Sequence, residues 1–264
     1  MKLKKYKDIY LKIFKVNLKS IMIYDIDFII GIIAMFIKTL INFSIILIIF
    51  NIVSDINGWT FEQMLFLYGF STTSFAIWHC FFINTITIPY YIKTGEFDRF
   101  LTKPFNPLFL ILVEGFDEDG WSELLFGLII SVISILKLHL YSPIILIIPL
   151  LWIVSSLIYA GISIILSTVS FFTIDNVDIT DLTLQLNEFS KYPINIYEKF
   201  IMILFTIIFP IGFASYYPSL IFINGITSTN IFFVFITFAY SIIFFIFSIF
   251  IWMKCLKKYT SSGF

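Results

Sequence analysis

Six stretches of this chain are apolar for long enough to cross a bilayer, and no other feature constrains its fold as strongly. A spanning helix needs about 20 predominantly apolar residues, at 1.5 Å of rise each. By that measure the candidates are residues 28–50, 61–89, 124–140, 143–172, 200–223 and 231–252. The second and fourth are longer than a span requires, so they are expected to tilt. The third is short, and Pro210 and Pro218 interrupt the fifth. Backbone N–H and C=O groups find no water in hydrocarbon and must bond within the segment, which makes these runs helices. Barrel strands would alternate apolar and polar residues, and these runs do not.

Composition agrees. The chain is 59% hydrophobic and 13% charged, with a mean hydropathy of +0.99. Soluble domains sit near 45–50% apolar and about 25% charged. A soluble enzyme, a disordered chain and a nucleic-acid binder are thereby excluded. Lys+Arg and Asp+Glu are both 17, so nothing points to a polyanion partner. Cys80 lies in an apolar run and Cys255 in a basic tail, which gives no disulfide framework. The expected fold is an all-α integral membrane protein, one bundle of six spans forming a single domain over residues 1–264.

Basic residues set the orientation. Lys2, Lys4, Lys5, Lys7, Lys12, Lys15 and Lys19 precede the first span; Lys93, Arg99 and Lys103 follow the second; Lys254, Lys257 and Lys258 follow the last. Loops 51–60 and 224–230 carry none, and only Lys137 lies near the opposite surface. Both termini are expected on the cytoplasmic side, which requires an even number of crossings. Residues 1–27 are not a cleavable signal, because the apolar run starts late and no small-residue cleavage site follows a short core. Leu3, Tyr6, Tyr10, Ile13, Phe14 and Ile21 recur near helical spacing with lysines between them, as in an amphipathic helix lying in the membrane interface.

Familiar catalytic patterns are missing. There is no phosphate-binding G-x-x-x-x-G-K-[ST] loop, no H-E-x-x-H and no Cys-x-x-Cys. His79 and His139 stand apart, and each reads as a helix contact rather than a metal ligand. Ser163 near Gly161 does not make a G-x-S-x-G elbow. Asp117, Glu118, Asp119 and Glu123 faintly resemble a calcium loop but lack its third and distal acids, so a solvated cytoplasmic turn is expected there.

Four places carry more information. In segment 91–107, Gly95 and Pro104 bracket a piece able to form a short helix. Phe97, Phe100 and Leu101 can form an apolar face while Glu96, Asp98, Arg99 and Lys103 stay wet. Arg99 is the only arginine among the 17 basic residues, and its planar fork suits a carboxylate pair. The same lysine bias suggests a bacterial genome. In segment 174–190, Asp178, Asp181, Gln185 and Glu188 fall at i, i+3, i+7 and i+10 on one helical face. That segment is either a cytoplasmic amphipathic helix or a short polar span lining an aqueous path. In segment 192–223, Pro193, Pro210 and Pro218 break what would otherwise be one helix, which fits a re-entrant hairpin. Lys38 sits mid-span beside Asn42, at a cost of about 2.5–3.5 kcal/mol on insertion scales. It either faces a wet path or snorkels.

These residues resemble a permease subunit of the type-two ABC transporters, in the short six-span branch. The blocks that carry the likeness are Gly95-Glu-Phe-Asp-Arg-Phe-Leu-Thr-Lys-Pro-Phe-Asn-Pro-Leu108, Phe189-Ser-Lys-Tyr-Pro-Ile-Asn-Ile-Tyr197, Phe209-Pro-Ile-Gly-Phe-Ala-Ser-Tyr-Tyr-Pro218, and the tail from Trp252 through Lys257-Lys-Tyr-Thr-Ser-Ser-Gly263. The acidic cluster at 117–123 is no part of the pattern. The resemblance implies that 91–107 is a coupling helix docking on a separate ABC ATPase, with Gly95, Glu96, Asp98, Arg99, Lys103 and Pro104 in or beside the contact. It implies that 174–190 is the fifth span and 192–223 an outer re-entrant hairpin, whereas hydropathy alone makes 200–223 the fifth span. Lys38, Asp178, Asp181, Gln185 and Glu188 would then line the translocation pathway. It further implies an exporter of a bacterial cytoplasmic membrane, surrounded by lipid and paired with a second permease, identical or related. This chain would hold no cofactor, with ATP and magnesium on the partner ATPase. Two other classes fit the composition: a scaffold or regulatory membrane protein without transport, and a lipid-acting membrane enzyme. The enzyme would need a clustered nucleophile and base, which the sequence does not display.

Overall fold

The computed structural model describes residues 2–21, 25–114, 117–173 and 177–261. Among these the chain is helical, with a lone bridge between Ile56 and Trp59 in place of any strand. The helices are α1 (Lys2–Ile21), α2 (Asp25–Ile52), α3 (Phe61–Phe82), α4 (Ile88–Lys93), α5 (Asp98–Leu101), α6 (Pro107–Glu114), α7 (Glu118–Lys137), α8 (Ile148–Ser167), α9 (Val177–Ser190), α10 (Lys199–Ile203), α11 (Tyr216–Ile223) and α12 (Ser228–Leu256). Five stretches are long and apolar enough to cross a membrane: Ile29–Ile52, Phe61–Lys93, Asp119–Lys137, Pro143–Phe171 and Ser228–Leu256. Lys199–Ile208 and Ile211–Ile223 are apolar enough only when taken together, and they meet at 77°, as a broken span or a re-entrant loop does. Isoleucines and phenylalanines of α2 and α12, among them Ile30, Ile41, Phe235 and Ile243, stand exposed. Such stripes suit lipid or another helix, not water. The protein is an all-α integral membrane protein.

α3 is the centre of the bundle, nearly all of it buried. Its start is fixed by a capping box: Thr60 Oγ1 accepts from Gln63 N–H, and Gln63 Oε1 accepts from Thr60 N–H at 3.1 Å. Its tightest neighbour is α7, and small residues explain why. A Cβ on Gly69 would come within 2.8 Å of Ser131, on Gly127 within 2.7 Å of Thr73, and on Gly120 within 2.9 Å of Cys80. Each step along α3 is matched by an equal step back along α7, so the two run antiparallel with touching backbones. Lipid supplies no hydrophobic drive between helices, so close contact of small residues is what holds such a seam.

One expectation about a span end is corrected. The third span was expected over 124–140, yet α7 begins at Glu118. The acidic residues from Asp117 to Glu123 are therefore the cap and first turns of a membrane helix, not a solvated turn. Asp117 accepts from Asp119 N–H at 3.0 Å, and acids there complement the positive end of the helix. Within the second run, Phe61–Lys93, a 3-10 turn at Ile83–Thr85 follows α3. Thr85 Oγ1 there donates to Ser163 Oγ of α8 at 2.8 Å.

α9 runs antiparallel to α3. Near its start Thr180 Oγ1 donates to Ile86 O just beyond α3, and beyond its end Asn57 Nδ2 donates to Asn195 O just before α3. A buried polar knot fixes its C-terminus: Ser190 Oγ lies 2.7 Å from Ser71 Oγ, Tyr159 OH donates to Ser190 Oγ at 2.7 Å, and Ser215 Oγ donates to Ser190 O at 2.6 Å. From Lys199 the chain turns back, loosens into a π-turn at Leu204–Ile208, breaks at Pro210 and returns through α11. Part of the expected 174–190 helix, residues 174–176, lies outside the described residues, as do 22–24 of the expected N-terminal segment.

Candidate functional site

Two places combine charge with defined geometry. The first is segment 91–107. Gly95 has φ +74°, a left-handed conformation that glycine adopts without steric cost, and it turns the chain sharply. Phe97 N–H then donates to Tyr91 O at 2.9 Å, and α5 begins. Phe97 and Phe100 are buried in a cluster with Ile88, Ile92, Ile164, Phe171 and Trp252. Tyr259 from the tail closes over Phe97 at 4.9 Å between ring centroids. The expected apolar face includes these phenylalanines but not Leu101, which is exposed. The three share one helical face, but the packing around so short a helix covers Phe97 and Phe100 and stops short of Leu101.

Asp98 was expected to stay wet. Instead it accepts from Tyr259 OH at 2.9 Å and from Ser261 Oγ, tying the tail to α5. Burial and the neighbouring carboxylate push the Tyr259 phenol up to about 12, so it remains a donor at physiological pH. Arg99 Nη2 lies 2.7 Å from Glu114 Oε1 and 3.7 Å from Glu96 Oε2. A single fork nitrogen thus serves both carboxylates, while the guanidinium sits 4.8 Å from the Phe100 ring centroid and 5.2 Å from that of Tyr91. Glu96, Arg99, Leu101, Lys103 and Pro104 form the exposed rim. α1 braces this segment from the side: Tyr6 packs edge-on against Phe105 and Phe109, and Asn106 N–H donates to Tyr6 OH. Glu114, Tyr259 and Ser261 were not anticipated as partners. Their separations from Arg99 and Asp98 leave no local signal, although the tail did carry part of the likeness.

The second place is a cavity of about 380 Å³ bounded by α2, α3, α7 and α9. On its α3–α7 side His79 Nδ1 lies 3.1 Å from Glu123 Oε2 and His79 Nε2 lies 3.2 Å from Asp117 Oδ2. His79 and Glu123 are buried. Burial works to raise the Asp117 carboxyl, but the hydrogen bond and charge of His79 outweigh it and hold the group below the usual range. On the α9 side Lys191, itself buried, meets Glu188 Oε1 at 2.6 Å and lies over the Tyr68 ring. Of the residues expected along a pathway, Lys38 and Glu188 line this cavity; Asp178, Asp181 and Gln185 do not. Lys38 makes no ion pair or hydrogen bond among the described residues. His79, Glu123 and Lys191 were missed as parts of one place because they come from three elements. The signal available was a histidine inside an apolar run.

Together these features define a multi-span helical membrane protein with a polar cavity between its helices and a structured charged loop at one end. The chain belongs to the family described as ABC-2 family transporter protein, whose model matches residues 36–263. No curated protein and no solved structure matches it.

Proposed function

We propose that this chain is the permease subunit of an ATP-driven exporter, coupled through residues 91–107 to a separate ABC ATPase that carries the ATP and magnesium. Segment 91–107 carries this reading: its aromatic face is committed to the core and the tail, while Glu96, Arg99, Leu101, Lys103 and Pro104 are left for a partner. Arginine is enriched among the residues that anchor protein interfaces, and Arg99 stands at the middle of this exposed rim. ATP binding would close the ATPase dimer against this rim and bias the bundle between two arrangements.

In this reading α9 is the fifth crossing and residues 192–223 a re-entrant hairpin on the outer side. Support comes from the Thr180 and Asn195 contacts at opposite ends of α3, and from the 77° break at Pro210. The sixth crossing is then α12, which leaves both termini in the cytoplasm of a bacterial cell. The exposed faces of α2 and α12 meet lipid and a second permease. The cavity lined by Lys38 and Glu188 belongs to the pathway.

The test is to tag the chain, solubilise its native membranes gently and identify what co-purifies. A stoichiometric Walker-motif ATPase, lost on Arg99→Glu while the permease stays folded, is the expected result. Unchanged retention of the ATPase by Arg99→Glu would remove the coupling assignment. Absence of any ATPase in several mild detergents would favour a scaffold.

A further inference from the structure

We propose that the cavity between α2, α3, α7 and α9 binds a zwitterionic amphiphile, its cationic group toward Asp117 and Glu123 and its anionic group toward Lys38. This rests on the permease reading and names the chemical class of its cargo.

Proton counting comes first. Each ring nitrogen of His79 faces a carboxylate oxygen, at 3.1 and 3.2 Å. A carboxylate only accepts, so each contact needs a proton on the ring side. An imidazolium between two carboxylates satisfies both and leaves that trio with one negative charge in excess, and Asp119, which lines the same end of the cavity, adds to the acidic side. The Lys191–Glu188 pair is closed and neutral. Lys38 is an ammonium without a partner among the described residues. The same cavity therefore has an acidic excess at one end and the lone ammonium of Lys38 at the other.

The two are set apart along the bundle. Ser122 Oγ donates to Ile32 O, which levels the acidic end with that turn of α2. Lys38 lies six residues further along α2, about 9 Å of helix rise. A simple cation would leave Lys38 unopposed, and a simple anion would meet the acidic excess. A headgroup carrying both charges answers both, which matters where water is scarce and unpaired charge is costly. Phe75, Ile86 and Leu184 share the lining and suit an attached alkyl chain.

The experiment uses the full-length chain in nonionic detergent and isothermal titration calorimetry. Three probes are compared below their critical micelle concentrations: dihexanoyl phosphatidylethanolamine, dihexanoyl phosphatidylglycerol and octylamine. The zwitterionic lipid should bind about tenfold or more tightly than either of the others. Lys38→Gln, at an exposed and unpaired position, should abolish the preference over octylamine. Glu123→Gln should abolish the preference over phosphatidylglycerol; if it fails to fold, Lys38→Gln decides alone. Equal affinity for the three probes, or an unchanged preference in Lys38→Gln, overturns the proposal. ATPase co-purification is measured on the same preparations. An ATPase retained without zwitterion preference sinks this inference and leaves the permease reading standing. Preference without an ATPase does the reverse.

Discussion

Arg99 and His79 each face two carboxylates, but in opposite surroundings. The Arg99 side chain is 44% exposed beside Glu96 and Glu114, whereas His79 is 9% exposed and Glu123 5%. Exposed ion pairs contribute about 0–1 kcal/mol, because water screens them and the side chains lose entropy. Removing one partner of a buried pair costs about 3–5 kcal/mol, because the charge left behind has nothing to replace it. A cation at the surface can exchange its partners for those of another protein with little loss of fold. A histidine of α3 clamped between two carboxylates of the α7 end is committed to the bundle.

The largest expected effect comes from Glu123→Ala, which should destabilise the chain by about 3–5 kcal/mol in a thermal melt in detergent. A loss below about 1 kcal/mol would place this cluster in the same class as the one at Arg99. Gly127→Val comes next, at about 1–3 kcal/mol, since even its Cβ would press on Thr73 at 2.7–2.8 Å. It also parts the seam that holds His79 against Glu123, so its effect combined with Glu123→Ala should fall short of additive. Acid should separate the two clusters more gently. The Asp117 carboxyl is held low by His79, so its stabilisation is present above the ordinary aspartate value of about 4 and fades as pH falls through the lower folded value. Melting temperature followed from about pH 5 downward should fall less steeply for Asp117→Asn than for the parent. Arg99→Gln should have the smallest effect, within about 1 kcal/mol, and still weaken ATPase retention; a large drop in stability would mean that the rim is structural.

Much of this was legible in the chain itself. The apolar runs mark α2, α3, α8 and α12 closely, and the lysine spacing marks α1, whose Tyr6, Ile9, Tyr10, Ile13 and Phe14 turn inward. The Gly95–Pro104 bracket locates the turn into α5. The acidic residues at the start of α7 were misread because polarity is a property of single positions. Whether a carboxylate is solvated depends on what stands opposite, and His79 is forty-four residues from Glu123. Leu101 was misplaced for a related reason: with only four residues in α5, the fold around it chose which faces were covered.

Sequence alone determined that this chain lives in a membrane as a helical bundle, because no water is present there to satisfy an open backbone. It also marked the loop after the second run as special, since turn residues and a single arginine are local signals. Only the tertiary structure decided that α9 lies along α3, that Asp98 holds the tail, and that Lys38, His79, Glu123 and Lys191 share one cavity. Those facts depend on contacts between residues far apart in the chain, and only packing at close range, here the glycine seam of α3 and α7 and the serine knot at Ser190, sets which of them meet.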